Sequence, residues 1–476
     1  MEDAQIRNVW RMRFAWAFFG TVAALVFLVL VQVFRRPDVP VDVLQENHAA
    51  VPLVAAAVLT VIFLAAIFTR NVKIRLGRGF PWLVGCVSLA AAFVPWFFTA
   101  SGRADLAMGA YRGLQVPQGW VQFWDLSATF QQIDCAGQGF NVSDVSNGCA
   151  GGFMYGPGIL WFHILPVLLS DHVVTLGVLA MVLSSLMLVW LARSTPGVGQ
   201  IVLLIAAIGA PWQLLLERGN IEAVLLWVAC ATIILVRRWN RLLPWAIAAA
   251  AIWFVGTWKF YPFALGVMLV PVLRLRRGWT VLVSFVVAVT LFILVQWEAL
   301  QFSSAQNEQI TFLGDWVALG RVPVVVRMIG GEVGTGLGAL DLILFALGFV
   351  SVAWGVAVGL CSSRRLMHPS MLAASGSCTF LAVVLVGGFG WAHKATFLLL
   401  CIPLVAELTR SPRPVLVAPA SASLMLIAVA SFVVVNPVLA TLAGVVAAGF
   451  SLGLAGLFLA RSLAALSPSG LLKMST

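Results

Sequence analysis

The chain has 476 residues, 61% of them hydrophobic and only 10% charged. Soluble domains carry about a quarter charged residues, so this composition excludes a soluble enzyme and points to a polytopic membrane protein. The net charge of +11 does not indicate nucleic acid, because Arg and Lys fall in short clusters between apolar runs, as in the cytoplasmic loops of membrane proteins.

Taken in chain order, the apolar runs are about 15–23 residues long, enough to cross a ~30 Å hydrocarbon layer. The first, 14–34, is too long for a signal-peptide core and lacks a small-residue cleavage site, so it reads as a retained span. Runs at 50–69 and 81–100 follow. With Arg7, Arg11 and Arg13 inside, they deliver residues 102–157 as a long outer loop. The segment 158–169 is apolar but short and contains Pro166, so it reads as a re-entrant or interfacial helix. Further spans are expected at 173–193, 198–216, 221–237, 243–257, 262–274, 279–298, 341–361, 371–388, 395–408, 414–434 and 438–461.

The expectation is therefore an all-α transmembrane bundle of about fourteen spans forming one domain over residues 1–476, with both termini cytoplasmic. On this path the clusters Arg70/Lys73/Arg75/Arg78, Arg237/Arg238/Arg241, Arg274/Arg276/Arg277, Arg364/Arg365 and Arg410/Arg413 all fall inside. Most acidic residues fall outside, in the loop 102–157, a second outer stretch over 301–340, and the turns between spans. Chemistry is expected on that outer face.

Five cysteines (Cys86, Cys230, Cys361, Cys378 and Cys401) lie in or at the ends of spans and fit small packing residues. Cys135 and Cys149 share the long outer loop, where a disulfide closing about 15 residues is expected. No Cys or His spacing resembles a zinc site.

Two polar clusters interrupt apolar sequence at span ends, where an unpaired charge is costly. The first is Glu217-Arg218-Gly219-Asn220. Its Arg218 offers a planar fork for phosphate or carboxylate, and Asn220 suits the cap of the next helix. Glu222 follows one turn later, placed to pair with Arg218 or to reach the same site. The second cluster is Lys259-Phe260-Tyr261-Pro262, whose lysine is the only one between residues 74 and 393. His393 and Lys394 form a third, shorter element. Within the long loop, Asp125 sits among Trp120, Phe123, Trp124 and Phe130, an apolar setting that suits a general base. Plainer roles fit the same residues: a helix cap for Asp125, a Glu217–Arg218 pair tying the turn, and snorkelling for Lys259. One carboxylate with several cations suits displacement of a phosphate, which needs positive charge rather than an acid, better than glycoside hydrolysis, which needs two carboxylates.

These stretches carry a resemblance. Asp125 followed by Tyr155-Gly156-Pro157, the turn Arg218-Gly219-Asn220, and Lys259-x-Tyr261-Pro262, with a late aromatic-basic stretch from Trp391 to Pro403, resemble the GT-C superfamily of membrane glycosyltransferases. Within it, the likeness is to glycosyltransferase family 87, which holds polyprenyl-phosphate-mannose-dependent mannosyltransferases and related arabinofuranosyltransferases. The resemblance implies inverting transfer of mannose or a pentose from a polyprenyl-phosphate donor to a cell-envelope glycolipid or glycan. Asp125 would be the base, and Lys259, Arg218, His393 and Lys394 would hold the donor phosphate. Glu217, Asn220, Tyr261 and Tyr155 would contact substrate. Membrane lipid would be the remaining partner; no cofactor is implied, and a divalent metal stays open. The family's base usually follows the first span, which makes Asp42 a rival to Asp125. A transporter or flippase of an anionic or lipid-linked sugar is the competing class.

Overall fold

A computed structural model describes residues 76–114, 116, 122–142, 155–165, 168–298, 339–362, 366–385, 392–432 and 437–464. The expected spans 14–34 and 50–69, the outer stretch 301–338, Asp42 and Cys149 lie outside the described residues.

Every regular element among the described residues is helical. Six helices are long and apolar enough to cross a membrane, or seven if one bent pair counts as a single span. The six include α1 (Phe80–Ala100), α4 (Val173–Arg193), α9 (Gly278–Val295), α10 (Ala339–Leu360), α11 (Met367–Leu385) and α14 (Pro437–Ala464). Their apolar residues run all round each helix, as burial against both lipid and protein requires. The molecule is thus a helical membrane protein, and lipid-facing side chains such as Val295 and Phe349 stand largely exposed.

Lipid tails are as apolar as the helices, so association rests on close packing and small residues. The contact between α10 and α14 illustrates this: a Cβ added at Gly453 would lie 2.2 Å from the carbonyl oxygen of Val352. No side chain fits there.

Several elements differ from expectation. The expected outer loop 102–157 holds, among its described residues, two helices, α2 (Ala104–Gly113) and α3 (Trp124–Gly137). Helix α3 is pinned from below, because Asp134 accepts hydrogen bonds from the backbone N–H groups of Leu169 and Ser170, each at 2.9 Å. The short apolar segment after the loop is a 3-10 helix, η1 (Pro157–Ile164), with a second turn, η2 (Leu169–His172), leading into α4. The expected span 198–216 is broken into α5 (Gly197–Ile208) and α6 (Ala210–Glu217), bent by 51° at Gly209. The carboxamide of Gln213 donates to the carbonyl of Ala207 beside the break, so the backbone there is satisfied internally.

Next come α7 (Glu222–Arg238) and α8 (Leu242–Gly256). The expected spans 262–274 and 395–408 are not plain α-helices. The first is a 3-10 helix, η3 (Tyr261–Arg274), and the second a 3-10 segment, η4 (Ala392–Cys401), running into α12 (Ile402–Leu408). A 3-10 helix rises about 2.0 Å per residue, so the 14 residues of η3 extend ~28 Å. Helix α13 (Pro414–Phe432) completes the set.

These helices share a polarity. Arg238 ends α7, Arg274 ends η3, and Arg193 ends α4, while the opposite ends of α7 and η3 carry Glu222 and Tyr261. Near the arginine end, Arg461 donates to the carbonyls of Gly359, Leu360 and Ser362, and Arg413 to that of Cys361, closing the C-terminus of α10.

Candidate functional site

At the pole opposite the arginines, five chain segments meet: the start of α3, the loop carrying Tyr155, the turn between α6 and α7, Lys259–Tyr261, and His393–Lys394. In the turn between α6 and α7, Gly219 adopts φ +60°, a conformation that favours glycine, and its Cα faces Leu126 and Phe123 of the overlying α3 segment. The turn binds that segment through its backbone: Phe123 N–H donates to the Glu217 carbonyl (2.9 Å) and Leu126 N–H to the Arg218 carbonyl (3.3 Å). The first turn of α3, and Asp125 with it, is thereby registered against residues 217–220.

Asp125 is held by polar partners. Arg218 Nη1 lies 3.5 Å from Oδ1, and the Asn220 amide donates to Oδ2. The aromatic setting expected from sequence is only part of its surroundings, because α3 turns Trp124 half outward and Phe123 inward. Asn220 also accepts from the Glu222 backbone N–H at 3.1 Å, so one side chain positions Asp125 and caps α7.

Glu222 is the centre of the site. It is fully buried, and Lys259 Nζ donates to its Oε1 at 2.7 Å. Lys394 and the Tyr261 hydroxyl donate to the same oxygen, and Lys394 also donates to the Tyr261 oxygen at 2.8 Å. His393 Nε2 lies 3.6 Å from Oε2. Neither ring nitrogen of His393, nor Oε2 of Glu222, has a hydrogen-bond partner among the described residues. The Lys259 ammonium sits 4.7 Å above the Tyr155 ring and Lys394 4.5 Å above the Tyr261 ring, two cation–π contacts in a dry setting. The loop carrying Tyr155 is docked by Gly156 N–H on the Trp258 carbonyl and Gly158 N–H on the Thr257 carbonyl (3.1 Å).

The electrostatics follow from two ammonium groups sharing one carboxylate. Burial works against the charge on Lys259, but Glu222 outweighs it, aided by Tyr155 and Asp125, and holds the ammonium above its ordinary value. Lys394 gives way instead: burial, and repulsion from Lys259, bring it down to about 8 despite Glu222. Burial lowers His393 to about 4, so the ring is neutral at physiological pH. Tyr155 is pushed up to about 12, chiefly by burial. Near neutral pH the Glu222 cluster therefore carries one positive charge in excess, and the adjacent Asp125–Arg218 pair cancels itself.

Asp125, Arg218, Asn220, Lys259, Tyr261, Tyr155, His393 and Lys394 are thus gathered in one place. Glu217 is buried on the C-terminal turn of α6, where its charge acts on Tyr111 of α2, to one side of the Glu222 cluster. Cys135 is disulfide-bonded, and its expected partner Cys149 lies outside the described residues. The other five cysteines are free. No group of three metal-ligating side chains occurs among the described residues.

Sequence reading gave Glu222 a subsidiary place. The stronger signal was available: a Glu in the first turn of an apolar helix has to meet cations, and only two lysines, at 259 and 394, lie beyond it within the apolar part of the chain. Comparison of the chain with protein-family models, with curated proteins and with solved structures finds no match.

Proposed function

We propose that this protein is a GT-C-type membrane glycosyltransferase that moves mannose or a pentose from a polyprenyl phosphate to a glycolipid or glycan of the cell envelope. The observation that carries this reading is the juxtaposition of an oriented carboxylate, Asp125, with a buried cluster of net positive charge built from Lys259, Lys394 and Glu222. A buried excess charge is unfavourable by itself and calls for an anionic ligand. A polyprenyl phosphodiester supplies one negative charge and an apolar chain suited to the surrounding bilayer.

In this reading the acceptor hydroxyl oxygen attacks the anomeric carbon of the donor. The new carbon–oxygen bond forms as the bond to the phosphate oxygen breaks, the electron pair leaves with the phosphate, and the hydroxyl proton passes to Asp125. Lys259 and Lys394, with Arg218 alongside, stabilise the charge gathering on the leaving phosphate. Asn220 and Arg218 hold Asp125 in place, and His393, Tyr155 and Tyr261 line the phosphate pocket.

The reading includes about fourteen spans with a re-entrant η1, both termini cytoplasmic, and the site on the outer face. Asp42 remains the rival base. The test is transfer by purified protein from radiolabelled polyprenyl-phosphate sugars to envelope glycolipids. Transfer that persists in Asp125→Asn would move the base elsewhere, with Asp42→Asn examined next.

One observation favours a second reading. The break between α5 and α6 is of the kind that transporters place at a binding site. Its freed backbone is occupied by Gln213, however, and the charges gather at one pole rather than at the break. Uptake of a labelled lipid-linked sugar into vesicles without chemical transfer would support that alternative.

A further inference from the structure

The excess charge of the Glu222 cluster has a consequence for the end of the reaction. The donor phosphodiester carries one negative charge, whereas the product phosphomonoester carries nearly two near neutral pH, since its second ionisation lies near pH 6. We propose that Glu222 sets the charge of the phosphate site so that it accommodates the monoanionic donor and releases the dianionic product. This rests on the glycosyl-transfer reading above.

With the donor bound, the two lysines, Glu222 and the diester sum to zero, and Asp125 cancels Arg218. Transfer moves the hydroxyl proton to Asp125 and the bonding electron pair to the phosphate, so the total is unchanged. When Asp125 returns its proton to water, a dianion faces a single excess positive charge, and the buried site is left negative. That imbalance favours departure of the product.

Without Glu222, a bound dianion would take the carboxylate's place in keeping Lys259 and Lys394 protonated, and the two ammonium charges would then match the dianion instead. Among the described residues, the other groups facing the cluster leave this sum unchanged: His393 is neutral, Tyr155 is a protonated phenol, and Tyr261 donates its hydroxyl to Glu222. Nδ1 of His393, buried and without a hydrogen-bond partner among the described residues, marks where a ligand's polar atom would be received, while Nε2 faces Oε2 of Glu222 at 3.6 Å.

The experiment compares two probes on the purified full chain in neutral detergent at about pH 7.5: decyl phosphate, a monoester, and methyl decyl phosphate, a diester. Titration calorimetry reads both affinities. Glu222→Gln is expected to strengthen the monoester relative to the diester by at least about tenfold, whereas Glu222→Asp keeps the wild-type ratio. A role confined to stability would weaken both probes together. Lys394→Gln removes a positive charge and is expected to shift the ratio the opposite way, which keeps the test open if Glu222→Gln does not fold. An unchanged ratio in the variants overturns the inference while leaving a phosphate site standing. Failure of both probes to bind the wild-type protein removes the phosphate site itself, and with it the glycosyl-transfer reading.

Discussion

At the residue scale, the roles divide between Asp125 and the lysines, and substitution should separate them. Asp125→Asn keeps the size of the side chain and a hydrogen-bond acceptor for Asn220 or Arg218 but cannot take the acceptor's proton. Transfer is expected to fall by about 10²–10⁴-fold with expression and thermal unfolding little changed. Lys259→Ala removes charge from the phosphate pocket and leaves Glu222 with Lys394, so its main effect should be a raised donor KM. Steady-state kinetics on both variants distinguishes the two. Proton linkage at Lys394 provides an independent check. Its ammonium titrates at about 8 in the ligand-free protein, and a bound anion raises that value. The anion therefore prefers the protonated lysine, and above about pH 8 binding takes up a proton. Donor affinity should hold below pH 8 and fall as pH rises beyond it, approaching tenfold per unit. His393, titrating at about 4, should contribute no dependence between pH 6 and 8. An affinity flat to about pH 10 would contradict this assignment.

At the scale of elements, the placement of α3 decides whether Asp125 is in the site at all. The attachments of this helix include the backbone bonds from Phe123 and Leu126 to the turn at residues 217–218, the bonds of Arg218 and Asn220 to Asp125, and the clamp of Asp134 on Leu169 and Ser170. Nothing in the local sequence around Asp134 sets it apart from other acids of the loop. Its importance depends on η2, which lies 35 residues away in the chain. Loss of a carboxylate that accepts two partly buried N–H groups costs about 1–3 kcal/mol. Asp134→Ala should accordingly speed amide exchange at Leu169 and Ser170 and lower activity through misplacement of α3, without changing the pH dependence set by Lys394. Hydrogen-exchange mass spectrometry resolves this. The helical ends that bear the site follow local rules more simply: Pro262 near the start of η3 and Asn220 ahead of α7 are where helix-start chemistry puts them.

At the scale of the molecule, the same helices carry acidic and catalytic candidates at one end and arginines at the other. This separation accords with an outer site above basic cytoplasmic turns, and it can be checked with thiols. Cys361 is exposed and lies at the arginine pole, where its carbonyl accepts from Arg413. Trp124 is half-exposed at the site pole. In intact cells a membrane-impermeant maleimide should label Trp124→Cys, while Cys361 reacts only after permeabilisation. Labelling in the reverse order would invert the topology and end the proposal of an outer active site.

Composition and the positions of apolar runs were sufficient, without coordinates, for a helical membrane protein and for most helix positions, because desolvating a polar backbone forces helices wherever the sequence is apolar. The candidate residues at 125, 218, 220, 259, 261, 393 and 394 were likewise legible, since charge in apolar surroundings is conspicuous. Sequence was silent on what pairs with what. Glu222 lies 37 residues from Lys259 and 172 from Lys394, and no local pattern spans such separations. Only tertiary packing decides that two lysines share one buried carboxylate, and hence that the site is left with a single positive charge. The length of η3 was hidden for a related reason: hydropathy registers how apolar a segment is, whereas its rise per residue depends on the hydrogen-bonding pattern it adopts among its neighbours.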